Sequence, residues 1–159
     1  MSNEFNLKKA NRMLFWFGIF KIPMIGFTRP KIVELTDQKL VLKIPFNRRT
    51  KNHLNSLYIA GFTIGADLAT GFLAYFIAKK LNLNVAPVFK SFKATYLKRS
   101  EFDTYFICDA GQAIKEMVLK AQETQERQNM LIKVDAVTRY PNNPELVADC
   151  EIELSLKGR

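Results

Sequence analysis

Asp67 is the only charged residue in the otherwise apolar segment 57–78. A buried carboxylate is costly to desolvate unless a partner or a polar cavity stabilises it. No residue one helical turn away carries a positive charge, although the hydroxyl of Thr63 or Thr70 could donate a hydrogen bond. We therefore expect a polar cavity at Asp67 and a raised pKa for its carboxyl group, as in many acid–base sites.

Other residue types that commonly do chemistry are scarce. His53 is the only histidine, so a Ser/His/Asp triad or a histidine metal cluster would depend on that single side chain. Cys108 and Cys150 are far apart and lie in apolar-patterned segments, which is typical of small core residues in a cytosolic protein. We expect no metal site and no cofactor.

The charge balance points to anionic partners. The formal net charge is +9, which favours phosphates, nucleic acid or an acidic membrane surface, although a solvated basic surface needs no partner. Segment 89–96 mixes aromatic and basic residues, but no nucleic-acid-binding motif occurs, so we expect no nucleic acid. The N-terminal segment does not resemble a secretory signal, and we expect a cytoplasmic protein.

The elements that must position Asp67 can be predicted from periodicity. Residues 6–20 fit a helix that Pro23 ends, with Lys8, Lys9 and Arg12 near its start. Its broad apolar surface suits either a lid packed on the core or a helix lying on a membrane surface. Residues 1–28 therefore form an N-terminal helical segment within one domain, 1–159.

Strands are predicted on both sides of the long apolar segment. Alternation predicts strands at 32–36, 40–46, 88–99, 102–109, 130–136 and 146–156. We expect the third and fourth strands to form a hairpin around Ser100 and Glu101. A helix over 111–127, capped by Asp109, separates the fourth strand from the fifth.

The long apolar segment is predicted to be a central helix over 57–80, capped by Asn55 or Ser56 and closed by two lysines. It could span a membrane, be buried for structural reasons alone, or be buried and carry a working carboxylate. A helix that is apolar on all sides must be covered on all sides. We expect a curved antiparallel sheet of about six strands to wrap around it, with a second subunit completing the cover.

The sequence around this helix is similar to a known group. Residues 52–61, followed by 66–69, resemble the central motif of hotdog-fold acyl-CoA thioesterases of the phenylacetate-pathway type. The likeness is closer to an uncharacterised bacterial branch of that superfamily. The resemblance implies an α+β hotdog fold with an N-terminal helix, and an acyl-thioester hydrolase acting on acyl-CoA or acyl-carrier protein as a homodimer or dimer of dimers.

The resemblance also implies site residues. The acidic residue of the family's central helix corresponds to Asp67, a general base or nucleophile. The backbone N–H that polarises the thioester carbonyl corresponds to that of Ile59, and an orienting amide corresponds to Asn52. Free N–H groups at a helix start suit a developing oxyanion.

Further contacts to substrate are expected at the helix start and in the basic loop before it. These residues are Tyr58, Ala60, Gly61, His53, Arg48 and Arg49, with the arginines facing coenzyme A phosphates. The family usually has two glycines where this chain has Ile59 and Ala60. That departure leaves open a hotdog protein that binds acyl or lipid chains without cleaving them.

Overall fold

A computed structural model describes residues 6–159, so residues 1–5 of the predicted N-terminal helical segment lie outside the described part. The order is two helices, two strands, a long helix, two strands, a helix and two strands. Their bounds are α1 Leu7–Phe20, α2 Pro23–Thr28, β1 Lys31–Leu35, β2 Leu40–Ile44, α3 Ile59–Lys80, β3 Val85–Tyr96, β4 Thr104–Cys108, α4 Gly111–Thr124, β5 Gln128–Thr138 and β6 Glu145–Gly158.

The six strands form one antiparallel sheet, as expected, in the order β1-β2-β4-β5-β6-β3. The predicted hairpin between the third and fourth strands is wrong. β3 pairs only with β6 and lies at an edge, whereas β4 lies between β2 and β5. Polar residues at 97–103 correctly indicated a break between the two strands. This segment does not form a hairpin turn but crosses to the middle of the sheet. On the way, the Ser100 carbonyl accepts a hydrogen bond from Leu57 N at 2.8 Å.

The sheet wraps around α3, and small residues allow the close approach. A β-carbon at Gly65 would overlap the ring of Phe106 on β4, and Ala66, Ala69 and Leu73 have no exposed surface. The helix is long and apolar enough to cross a bilayer, yet most of it is buried against the sheet. The membrane-spanning interpretation is therefore wrong.

One stripe of α3 remains partly uncovered in the single chain. It consists of Ala60, Thr63, Ile64, Asp67, Gly71 and Tyr75, which recur every three or four residues and are half-buried or exposed. Asp67 lies midway along this stripe. The predicted all-round cover is therefore incomplete on the face that carries the carboxylate.

An N-terminal helical hairpin lies beside the C-terminal half of that stripe without closing over it. Asn6 caps α1 by accepting from Lys9 N at 3.1 Å, and Pro23 opens the short helix α2 that the sequence did not predict. A β-carbon at Gly18 would lie 2.7 Å from Gly26 Cα, so the two helices touch backbone to backbone. Asn11 of α1 holds the hairpin to the sheet through 2.8 Å hydrogen bonds with Ile32 N and O.

Two helix caps differ from those predicted. The N-cap of α4 is Ala110 rather than Asp109, and Gln38 from the β1–β2 turn accepts from Gln112 N at 3.1 Å. The N-cap of α3 is Tyr58 rather than Asn55 or Ser56, with no side-chain hydrogen bond. At α4 the Gln38 side chain from a distant turn accepts the hydrogen bond, and at α3 no side chain caps the helix.

Candidate active site

Asp67 lines a cavity of about 490 Å³ between α1, α3 and β3. The surrounding side chains are otherwise apolar or aromatic: Met13, Phe17, Ile22, Leu68, Gly71, Phe72, Tyr75, Pro87 and Phe89. The rings of Phe17 and Phe72 meet edge to face at 5.4 Å, so α1 closes one wall of the cavity. An apolar space with one carboxylate suits a ligand that is mostly hydrocarbon and carries one reactive polar group.

Burial raises the pKa of Asp67 from the usual 3.8 to about 6. Among residues 6–159, no hydrogen-bond or ion-pair partner of its carboxylate is found. The Thr70 hydroxyl, one expected donor, is directed instead to Cys108 Sγ at 4.0 Å. At neutral pH the carboxyl group is mostly ionised and free to accept a proton.

The start of α3 offers backbone donors. Tyr58 N donates to Thr50 O at 2.8 Å, and Gly61 N donates to Tyr58 O at 2.8 Å. The N–H groups of Ile59 and Ala60 have no acceptor in the described part of the chain. The Ile59 residue is 55 % exposed, so this end of the helix can meet an anion or a carbonyl oxygen.

Asn52 organises the loop that leads into α3. Its Oδ1 accepts from Leu54 N at 2.9 Å and from Ser56 N at 3.1 Å, and its Nδ2 donates to Ser56 Oγ at 3.0 Å. These bonds fold the loop back on itself before the helix begins. The second Nδ2 hydrogen has no acceptor among the described residues, so the amide retains one donor for a ligand.

A second cavity, of about 400 Å³, lies at this end of the helix. Asn52 and Ile59 line it together with Phe62, Tyr96 and Arg99. Asp67 does not belong to it. The structure therefore brings two of the three predicted catalytic residues together and places the third in a separate cavity.

The remaining predicted contacts lie around the helix start. Tyr58 is exposed, Ala60 is half-buried, and Gly61 is packed so closely that a β-carbon there would lie 2.7 Å from Leu57 Cδ1. His53, Arg48 and Arg49 are exposed on the preceding loop. The guanidinium of Arg49 lies 5.5 Å from the ring centre of Phe27 on α2, so the basic loop adjoins the N-terminal hairpin.

Sequence reasoning did not identify the residues that form the walls around Asp67. For Gly71 and Tyr75 a signal existed, because they follow Asp67 at intervals of four residues on one helix face. For Met13, Phe17 and Phe89 no local signal existed, since their proximity depends on how α1 and β3 pack. The cavity is a product of tertiary structure.

Solved structures support the expected fold. The chain superposes on a candidate thioesterase from Shewanella oneidensis with a TM-score of 0.79 and 13 % identity, over 94 % of this chain and 99 % of that one. Zebrafish thioesterase superfamily member 2 gives a TM-score of 0.65 and 14 % identity, over 96 % and 97 %. A thioesterase from Haemophilus influenzae gives 0.63 and 13 %, over 97 % and 92 %.

These likenesses confirm the α+β hotdog fold that the sequence predicted. At such identities they establish the fold alone. No curated protein matches the sequence. The family model described as a domain of unknown function (DUF4442) matches residues 10–156, and the chain belongs to that family.

Proposed function

We propose that the protein is a cytoplasmic acyl-thioester hydrolase acting on acyl-CoA or acyl-carrier protein, with Asp67 as general base or nucleophile. The observation that carries this proposal is the single carboxylate in an apolar cavity, with a pKa raised to about 6. An apolar cavity accommodates an acyl chain, and an ionised carboxylate activates water beside it. The thioesterase names of proteins with the same fold support this reaction class.

We propose further that each site is shared by two copies of the chain. Ile59 and Asp67 lie eight residues apart on α3. That spacing corresponds to about 12 Å along a helix, too far for one thioester group to contact both. The uncovered stripe of α3 and the unpaired edge of β3 lie beside the Asp67 cavity, where a second copy would bring its own helix start to Asp67.

The chemistry then divides between the two copies. The carboxylate of Asp67 removes a proton from water as the water oxygen bonds to the carbonyl carbon. The Ile59 N–H of the partner subunit stabilises the resulting oxyanion, and Asn52 orients the substrate or the water. The C–S bond breaks, and the proton passes to the departing thiolate. With Asp67 as nucleophile, a mixed anhydride forms first and water then cleaves it.

The two cavities suit the two ends of such a substrate. The apolar cavity at Asp67 takes the acyl chain, and the cavity at Ile59 takes the carrier arm. Tyr58 and Ala60 flank Ile59 at the helix start, whereas Gly61 is buried against Leu57. Arg99 lines the second cavity, and Arg48, Arg49 and His53 are exposed nearby on the loop, where their charges and donors suit phosphate groups.

A second candidate function is the binding of acyl groups without their hydrolysis. The observation that favours it is the exposed side chain of Ile59 at the helix start. A substrate carbonyl could approach the backbone N–H more closely if this residue were glycine. In that case the Asp67 cavity holds a fatty acyl group, and the helix start does not reach a thioester. Ligand binding without thiol release distinguishes the two candidates.

The decisive experiment measures thiol release from acyl-CoA substrates of increasing chain length. We expect the wild type to hydrolyse at least one class, Asp67→Asn to lose nearly all activity, and Asp149→Asn, an exposed control on β6, to retain it. Wild type that releases no thiol from any substrate yet retains an acyl ligand in native mass spectrometry would establish the second candidate. Full activity of Asp67→Asn would remove Asp67 from the mechanism.

A further inference from the structure

The N-terminal hairpin carries a group of large apolar side chains that the single chain leaves exposed. On α1 these are Phe15, Trp16, Ile19 and Phe20, and on or beside α2 they are Ile22, Met24 and Phe27. Phe20 is 71 % exposed and Met24 is 69 % exposed. We call these seven residues the hairpin face. Soluble monomers rarely expose so many large apolar side chains together without a partner.

On α1 the residues of the hairpin face are separate from those of the cavity wall, whereas Ile22, between the two helices, belongs to both. Ala10, Leu14 and Gly18 are buried, and Met13 and Phe17 face the Asp67 cavity. Trp16 stacks on Phe20 with ring centres 5.3 Å apart and contacts Phe15 edge to face at 5.4 Å. These aromatic side chains therefore pack on one another at the surface rather than against the core.

The charged residues of the segment that carries the hairpin face all have one sign. Residues 7–33 contain Lys8, Lys9, Arg12, Lys21, Arg29 and Lys31 and no acidic residue. All six are exposed. Arg49 from the basic loop adds a seventh cation, with its guanidinium 5.5 Å from the ring centre of Phe27. Exposed apolar and aromatic side chains on a segment whose charges are all positive match the two layers of an anionic bilayer surface, acyl chains below and phosphates above.

We propose that the hairpin face binds the surface of an anionic lipid bilayer, with the aromatic side chains among the upper acyl chains and the basic residues at the phosphates. A second copy of this chain fits the face poorly. A two-fold interface would set the same patch against itself and bring like charges together. This binding requires neither hydrolysis nor an intact Asp67, so it can be tested independently of the proposed function.

Trp16 provides a direct readout because it is the only tryptophan in the sequence and lies in the hairpin face. We expect its emission to shift to the blue on vesicles of equal parts phosphatidylglycerol and phosphatidylcholine, and to be quenched when the phosphatidylcholine is brominated. Vesicles of phosphatidylcholine alone should bind weakly. Added salt should release the protein from the anionic vesicles.

Variants separate the apolar and the charged contributions. Phe20→Ser with Phe27→Ser should weaken vesicle co-sedimentation by about tenfold or more, whereas Leu119→Ser with Leu131→Ser, exposed elsewhere, should not. Arg12→Gln with Lys21→Gln should weaken it by about fivefold for each charge removed, and Lys115→Gln with Lys120→Gln on α4 should act far less.

Three results would overturn the proposal. The first is no shift or quenching of Trp16 on anionic vesicles. The second is equal binding by wild type and by the variant with both Phe20 and Phe27 replaced. The third is a wild-type dimer that this variant converts to a monomer, without vesicle binding by either form, since the face would then join two copies of the chain.

Discussion

Asp67 and Ile59 lie on the same helix about two turns apart, yet they line different cavities. The carboxylate lies in an apolar space beside α1 and β3, and the free N–H lies at the exposed helix start beside Asn52. A single copy therefore holds the base and the oxyanion donor apart.

Mixed dimers test whether the site is shared. Ile59→Pro removes the N–H at the first helical position, which proline tolerates, and the extended backbone of Tyr58 suits a residue before proline. We expect Ile59→Pro and Asp67→Asn each to be inactive as homodimers. Refolding an equal mixture should restore about a quarter of wild-type activity, because half the dimers then hold one complete site.

The controls for that mixture are specific. Ile59→Ala keeps the N–H and should stay active alone, so loss through Ile59→Pro cannot come from the side chain. If the mixture stays inactive while native mass spectrometry detects heterodimers, the base and the donor belong to the same copy and the shared site is excluded.

The rate should depend on ionisation of Asp67. Because its pKa is raised to about 6 by burial, we expect kcat/KM to rise with pH up to that value and to level off above it. A pH–rate profile in buffers of constant ionic strength measures this. The residual rate of Asp67→Asn should lack the inflection, and an unchanged inflection in that variant would assign it to another group.

The stability of the folded protein should change with pH in the opposite direction to the rate. Since the folded-state pKa of Asp67 exceeds the usual 3.8, the folded state favours the protonated carboxyl. The stabilisation that comes from protonated Asp67 is fully present below pH 4 and is lost as the pH rises through about 6. At pH 7.5 we expect Asp67→Asn to stabilise the protein by about 3 kcal/mol in urea unfolding. At pH 4 the two proteins should be nearly equal, and a gain independent of pH would contradict this account.

Acyl-chain preference should depend on α1. Met13 of α1 is half-buried and lines the same cavity as Asp67 and Phe72 of α3. We expect Met13→Ala to move the optimum of an acyl-CoA panel to longer chains and Met13→Phe to move it to shorter ones, each by a change in kcat/KM of about tenfold. A shift in the same direction for both variants would show that Met13 acts through folding rather than through cavity length.

Two glycines of α3 should respond differently to alanine. A β-carbon at Gly65 would overlap the fully buried ring of Phe106, so Gly65→Ala should destabilise the fold by about 2 kcal/mol. At Gly71 the nearest atom is Phe89 Cζ at 3.3 Å, and alanine favours helix. Gly71→Ala should therefore stay within about 1 kcal/mol of wild type. Thermal or urea unfolding of both variants decides the comparison.

Local pattern was sufficient for the type and order of most elements. The alternation along β6 and the apolar run of α3 predicted those elements to within a few residues, because each buries side chains at the period of its backbone. The pairing of β3 with β6 was not predictable in this way. It depends on where residues 97–103 lead the chain, which no local pattern specifies.

The candidate site likewise has one part that the sequence predicts and another that depends on tertiary packing. Asp67 could be identified because a lone charge in an apolar helix is visible in the sequence, and residue type predicted the direction of its pKa change. The separation of Ile59 from Asp67 follows from helix geometry, and the resemblance to a known group did not reveal it. The walls contributed by Met13 and Phe89 required the packing of α1 and β3 around the helix.

The contact between Gly18 and Gly26 leaves no room for the two helices of the hairpin to slide or separate without breaking their backbone packing. We therefore expect the hairpin to move as one rigid unit, with Phe20 on its outer surface and Phe17 on its inner surface. A displacement of Phe20 at the outer surface would then shift Phe17 at the wall of the Asp67 cavity. Widening the glycine contact, as with Gly18→Ala, would decouple the two surfaces.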